Sequence, residues 1–355
     1  MSDVGGEGRG LLAAAGVLFQ DEQGRLLVVR LPYDAKHPIA IPGGGWEPTD
    51  ETLRQTAVRE ITEELGITPE LGPLACIDWS VDHFRPPIAA HLYWAAPLHP
   101  EQLAALRPQA DEIGGWGFLT PRQAASALPP KLSRRVTACL KAPRAAAPLE
   151  LEDSFPVGRS RTYLSPTPPP PYTGAQGLEL TGSGRPAQPP PQDRAAYIAG
   201  RPRIRAKARM VFTDAAGRVL LVRPRPGGKD AHWILPGGSV EADRELPRQA
   251  ARREVREELG WEREPGRLLA LDWLPAAEGP ALLVYVFDGG EVTPAQLDGI
   301  RLPPAELVEW RMCAPEEARS LLSGLSWARL SSCLAARTTR SAGGGPAELV
   351  RGVPV

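Results

Sequence analysis

The four cysteines, Cys76, Cys139, Cys313 and Cys333, include no C-x-x-C pair and lie far apart. That argues against a zinc knuckle or a disulfide framework, and they read as reduced thiols. Charge of one sign is also lacking: 41 Lys and Arg stand against 42 Asp and Glu, for a net charge of -1. Neither nucleic acid nor an anionic membrane is therefore expected as the main partner. No apolar run approaches the ~18 to 20 residues of a membrane span. The run "LLAAAGVLF" at 11–19 has no basic leader beyond Arg9 and passes straight into "QDEQGRLLVV", so it reads as strand, turn and strand rather than a signal peptide. A cytoplasmic, soluble protein is the expectation. Length is what the chain does have: 355 residues suit two domains better than one, at roughly 100 to 200 residues per domain.

The two halves repeat. Sliding the chain until Pro42 meets Pro236 aligns it without a gap as far as Ala124, bringing Pro42-Gly43-Gly44 onto Pro236-Gly237-Gly238 and Arg59-Glu60 onto Arg253-Glu254. The same offset brings Asp78-Trp79 onto Asp272-Trp273, Glu112 onto Glu306 and Trp116 onto Trp310. Upstream, "GRLLVVR" at 24–30 matches "GRVLLVR" at 217–223 at an offset one residue shorter, so the loops before the glycines differ by one residue. Between the halves, "SPTPPPPY" and "RPAQPPPQ" read as polyproline and coil. The predicted organisation is a domain over 8–145, a Pro-rich linker over 146–198, a second domain over 199–340 and a flexible tail over 341–355. A flexible linker of that length has an end-to-end distance on the order of 40 Å. It lets the domains stay apart or pack as an intramolecular pseudo-dimer.

Each half runs in the same order: two β-rich segments joined by an Asp-x-x-Gly turn, a glycine loop, an acidic helix, strands at "LACIDWS" or "LLALDWL" and at "AAHLYWA" or "ALLVYVF", a strand near Trp116 or Trp310, and a helix at "PRQAASAL" or "PEEARSLL". Strands interrupted by helices predict an α/β fold, a mixed sheet packed between helices in an α/β/α sandwich, made twice.

"REITEELG" at 59–66 and "REVREELG" at 253–260 place three acids each in the last turn of a helix stopped by glycine. A helix C-terminus disfavours negative charge, and like charges three and four apart repel. On a helical wheel Val58, Ile61 and Leu65 form an apolar stripe, with Glu60, Glu63 and Glu64 on the adjoining arc. Hard oxygen ligands held so close suit Mg²⁺ or Mn²⁺. The competing reading is a solvated acidic helix face. Gly43, Gly44, Gly45, Gly237 and Gly238 precede the helices and let backbone approach a ligand, or form plain turns. Glu51 and Glu245 are expected in the first helical turn.

Both halves resemble the Nudix (MutT-like) family, whose box reads G-x5-E-x7-R-E-U-x-E-E-x-G-U with U apolar. The first half fits through Gly45, Glu51, Arg59, Glu60, Ile61, Glu63, Glu64, Gly66 and Ile67. The second departs once: six residues separate Gly238 from Glu245, and Arg244 stands at the expected Glu position. Because the Pro-Gly-Gly triplets align, both loops are expected to carry the same one-residue insertion. The resemblance implies two tandem Nudix-type sandwiches that hydrolyse a nucleoside diphosphate linked to another moiety, a nucleotide-type small molecule, with Mg²⁺ or Mn²⁺. By position, Glu60, Glu63, Glu64, Glu254, Glu257 and Glu258 would ligate metal. Arg59 and Arg253 would orient the neighbouring Glu, and the glycine loop would meet metal or phosphate. The family takes its general base from a box Glu or a later loop, for which Glu112 and Glu306 are paired candidates. They also read as exposed strand-end acids.

Trp79 and Trp273 could stack on a base or belong to the core. The alternating Arg203, Arg205, Lys207 and Arg209, without counterpart in the first half, could hold phosphate or protect an edge strand as a solvated face. Neither the NADH-type "SQPWPFP" nor a coenzyme A signature is present, and Pro275 only approximates the proline of ADP-ribose enzymes. A nucleotide sensor that binds without hydrolysis competes with the enzyme, although the intact carboxylates favour hydrolysis. An isopentenyl diphosphate isomerase would need a specially placed cysteine, which the two halves do not share.

Overall fold

An Asp-x-x-Gly turn reverses the chain early in each half. Gly24 (φ 73°) donates its N–H to the Asp21 carbonyl at 2.9 Å, and Gly217 (φ 75°) does the same to Asp214 at 2.9 Å. The computed structural model describes residues 10–82, 85–144, 147–157, 170–182, 198–226, 232–242, 244–276, 279–338 and 345–355. It divides into two units, Leu12–Pro202 and Arg203–Val355, the latter including Leu11.

In the first unit, β1 (Leu12–Leu18), β4 (Gly43–Gly45), β5 (Leu71–Asp82), β6 (Arg85–Ala95), β8 (Leu149–Glu152) and β9 (Phe155–Pro156) form a mixed sheet in the order β4-β1-β6-β5-β8-β9. The pairs β1–β6 and β5–β8 are parallel. A smaller antiparallel sheet joins β2 (Leu26–Arg30) to β3 (Ile39–Ala40) and β7 (Gly115–Leu119). Helix α1 (Leu53–Leu65) lies against β1 and β4; α2 (Pro100–Ala105), α3 (Pro121–Ala127) and α4 (Pro130–Lys141) follow. Leu18, Val28, Cys76, Leu92, Trp94, Val136 and Cys139 belong to one buried core between the sheets and α3–α4.

The second unit contains β10 (Arg205–Thr213), β11 (Val219–Pro224), β12 (Gly237–Ser239), β13 (Leu268–Leu274), β14 (Leu282–Glu291), β15 (Leu307–Cys313), β16 (Ala347–Val350) and β17 (Val353–Pro354) in one eight-stranded sheet. Its helices are α5 (Pro247–Leu259), α6 (Pro294–Asp298), α7 (Pro315–Leu321) and α8 (Gly324–Thr338). β10 is interior, with β14 on one side and β11 and β12 on the other, so the edge-strand reading of its basic residues is overturned. Trp79 and Trp273 are core residues, 4% and 3% exposed. All four cysteines are free and buried, and among the described residues no helix is long and apolar enough to cross a membrane.

Two boundaries move. The expected tail supplies β16, parallel to β13, and β17, and the expected linker supplies β8 and β9 in the same roles on β5. Each pair turns through two residues of positive φ, Asp153 (48°) and Ser154 (67°) or Arg351 (49°) and Gly352 (80°), as a two-residue hairpin of right-handed twist requires. A buried carboxylate fastens each hairpin. Asp78 accepts from the Ser154 N–H at 3.0 Å and from Arg135 at 2.7 Å; Asp272 accepts from the Gly352 N–H at 2.9 Å and from Arg329 at 2.6 Å. Residues 170–182 also belong to the first unit, where Thr181 and Trp116 exchange two backbone hydrogen bonds of 2.8 Å. The most proline-rich stretches, 158–169 and 183–197, lie outside the described residues.

Candidate metal and substrate site

Each site starts from a short strand whose first residue must be glycine. Gly43 and Gly44 pair with Gly16 and Ala15 of β1; Gly237 and Gly238 pair with Arg209 and Ala208 of β10. Gly43 has φ 134° and Gly237 has φ 122°, where a side chain is strained. A Cβ at Gly43 or Gly237 would strike the carbonyl of Ala15 or Ala208, and one at Gly44 or Gly238 would strike the carboxylate of Glu60 or Glu254. The bare backbone lets the acidic helix close on the loop.

Helix α1 is set by Thr52, whose side chain accepts from the Gln55 N–H, and by Gly66 (φ 72°), whose N–H reaches Thr62. Its buried face is Leu53, Thr56, Ala57, Glu60, Ile61, Glu64 and Leu65, so two of the three acids share the stripe with apolar residues while Val58 is only half-buried. Helix α5 starts with Pro247 and ends at Gly260 (φ 77°), burying Ala250, Val255, Glu258 and Leu259. Glu63 and Glu257 point outward, their side chains 52% and 51% exposed.

Glu64 accepts from the Gly43 N–H at 2.8 Å, and Glu258 from the Gly237 N–H at 2.7 Å. Burial pushes the Glu64 carboxyl up to about 8, opposed by that N–H and reinforced by Glu60, Glu112 and Glu63. Burial likewise pushes Glu60 up to about 7 against the charge of Arg59. Glu258 rises to about 8, by burial against the charge of Arg209 and the Gly237 N–H, and Glu254 rises by burial against Arg253. Carboxylates held this high are short of positive compensation. An all-oxygen donor set of this kind fits a hard divalent cation.

Arg59 ties the loop to the helix. Its guanidinium donates to the Gly45 carbonyl at 2.8 Å and to Glu63 at 2.8 Å, and lies 3.1 Å from Glu60. Arg253 donates to the Ser239 carbonyl and to Glu257, each at 3.0 Å, and lies 3.0 Å from Glu254. These ties spread the expected ligand triads. Among the described residues no three His, Cys, Asp or Glu side chains form a ready metal cluster, because Arg59 and Arg253 draw off Glu63 and Glu257 while the glycine N–H groups hold Glu64 and Glu258.

Glu51 is displaced from its expected role. It precedes the N-cap, is exposed, and its carboxylate accepts from the Gln55 amide at 3.3 Å. Asp50, 6% exposed, receives Arg59 instead, at 3.0 Å from Nη2, and also accepts from the Thr56 hydroxyl at 2.9 Å. In the second unit Glu245 does take this part, at 2.8 and 3.0 Å from Arg253, although it too precedes its helix. Both loops hold one extra residue, as expected, but the second absorbs it before the acid and the first after it. Measuring Asp50 from Gly44 rather than Glu51 from Gly45 would have found it in the sequence. Glu112 and Glu306 are exposed, and their charges act on Glu64 and Glu258 respectively. Two arginines also reach the acids: Arg209, and Arg201, whose guanidinium lies beside Gly45 and acts on Glu60.

The NUDIX domain model matches the chain twice, over residues 10–138 and 203–331. No curated protein matches it. Similar solved structures include a MutT protein from Methanosarcina mazei Go1 (22% identity, covering 39% of this chain and 97% of that chain, TM-score 0.33). They also include an ADP-ribose pyrophosphatase from Streptococcus suis (17% identity, 41% and 98% coverage, TM-score 0.29) and a C. elegans Ap4A hydrolase complex (23% identity, 40% and 100% coverage, TM-score 0.30).

Proposed function

The chain belongs to the NUDIX family, and from that premise we propose that it is a metal-dependent pyrophosphohydrolase cleaving the diphosphate of a nucleoside diphosphate linked to another moiety. ADP-ribose, a nucleotide sugar, a dinucleotide and a modified nucleoside triphosphate all fit that description. The supporting observation is the buried pair Glu60 and Glu64, closed onto Gly43 and Gly44 and repeated as Glu254 and Glu258 on Gly237 and Gly238.

Glu60, Glu63 and Glu64 would hold Mg²⁺ or Mn²⁺ in the first unit, and Glu254, Glu257 and Glu258 are the matching set in the second. The bound cation would offset charge on the diphosphate oxygens and acidify or position the attacking water. Arg59 and Arg253 fix the carboxylates against the glycine loop, whose backbone would approach metal or phosphate. Glu112 and Glu306, exposed carboxylates whose charges act on the deep acids, would take the proton of the water.

The test is a substrate panel with Mg²⁺ on the full chain, covering ADP-ribose, dinucleoside polyphosphates, ordinary and oxidised nucleotides and nucleotide sugars. A metal-dependent product is expected, lost when Glu64→Gln and Glu258→Gln are combined. Undiminished turnover in that double variant, or no product from any substrate, would overturn the proposal.

A further inference from the structure

The two acidic sites differ at several positions along β1 and β10, one of which faces the first glycine of the loop. Gly16 of β1 faces Gly43, while Arg209 of β10 faces Gly237. In the first unit a Cβ at position 16 would meet the Leu92 δ-carbon at 2.8 Å and Ile41 at 3.0 Å. Leu92 is the β6 partner of Gly16, and its counterpart beside Arg209 on β14 is Val286. Valine has no δ-carbon, which leaves room for a side chain there.

Arg209 uses that room to reach the glycine loop. Its Nη1 donates to the Leu235 carbonyl at 2.7 Å and to the Gly237 carbonyl. The N–H of the same Gly237 holds Glu258. A permanently charged guanidinium is thereby fixed on the carbonyls of the loop that faces the acidic helix, and its charge acts on both Glu258 and Glu254. At the first site Arg201 acts on Glu60, but the side-chain charges acting most strongly on the deep Glu64 are the acids Glu60, Glu112 and Glu63. Acids act on the deep carboxylate in both units, Glu60, Glu112 and Glu63 on Glu64 and Glu254 and Glu306 on Glu258, but at Glu258 the arginine is the largest side-chain charge.

We infer that Arg209 is a resident counter-charge that lowers the affinity of the second site for divalent cations, so that the first unit is the tight metal site and the second is the weak one. The inference rests on the reading that these carboxylates hold a metal.

Mn²⁺ titration of the full chain, with free Mn²⁺ followed by electron paramagnetic resonance, tests it without any turnover. One tight site is expected in the wild type, abolished by Glu64→Gln and unchanged by Glu258→Gln. Arg209→Met should raise second-site affinity by on the order of tenfold or more, since a unit charge acting on the carboxylates that would hold the cation is removed, and adding Glu258→Gln should remove the gain. Arg209→Gln, which keeps an amide donor for the loop carbonyls, serves as the second variant should the methionine protein fail to fold. Two equally tight sites in the wild type, or no gain in a folded Arg209 variant, would overturn the inference and leave the hydrolase reading standing. No Mn²⁺ binding by any form would overturn both.

Discussion

Asp50 and Arg59 form a two-pronged pair, with Nε and Nη2 of the guanidinium donating to the carboxylate at 3.1 and 3.0 Å. The adjacent Glu51 takes no part in it. Because Arg59 in turn holds Glu60 and Glu63, Asp50→Asn is expected to weaken Mn²⁺ binding at the first site by roughly 10- to 100-fold, the usual cost of losing a group that orients metal ligands. Glu51→Gln should leave binding near wild type. The same titration separates the two, and the reverse order would restore Glu51 to the role its box position suggests.

Gly44→Ala is expected to push the Glu60 carboxylate out of place, since the added methyl collides with it. Because the struck atoms are the end of a flexible side chain, metal affinity should fall with little loss of thermal stability, and Gly238→Ala should repeat this in the second unit; unchanged metal affinity in a folded variant would count against the site.

The buried Asp78 and Asp272 each face one arginine and one backbone N–H, and Asp78 also accepts from the Ser154 hydroxyl at 2.8 Å. Asp78→Ala leaves the Arg135 charge uncompensated, and breaking such a buried pair costs about 3 to 5 kcal/mol. Urea denaturation should show the loss; a cost below 1 kcal/mol would mean that solvent reaches the pair.

Removal of residues 345–355 should destabilise the second unit. It takes away Leu349, which is fully buried, and the Gly352 donor to Asp272, together at least about 3 kcal/mol. A truncated protein with unaltered stability would show the strand pair to be dispensable.

His91 on β6 is 1% exposed, and neither ring nitrogen has a hydrogen-bond partner. Burial holds its pKa down to about 3, below the roughly 6.5 of an exposed histidine. As pH falls below 6.5 the unfolded chain takes up the proton first, so stability is lost toward pH 3 by up to about 1.4 kcal/mol per unit. His91→Tyr, which installs the residue found at the matched Tyr285, should flatten that slope between pH 6.5 and 4. Equal slopes would remove the claim.

Much of this was legible in the chain. The glycine loops, the acidic helices, the Asp-x-x-Gly turns and the order of strands all follow from local chemistry that repeats at fixed spacing. Asp50 was hidden because the box pattern counts from Gly45 to Glu51, and both residues satisfy it while register places the working glycine one residue earlier. The tail and the first part of the linker carry no local strand signal, because β8 and β16 are only four residues long. They are held by pairing with β5 and β13 and by Asp78 and Asp272, some seventy residues upstream, which no local window contains. Arg209 looked like one of several surface cations, since only sheet order reveals that β10 is interior.

The closing hairpins also say where the copied unit ends. Leu151 stands opposite Asp78 and Leu349 opposite Asp272, so the duplication ran past the last helix to include its own edge cover. A half excised at residue 145 would leave Cys76–Trp79 as a bare, adhesive strand edge. One that keeps β8 and β9 would carry its own edge cover.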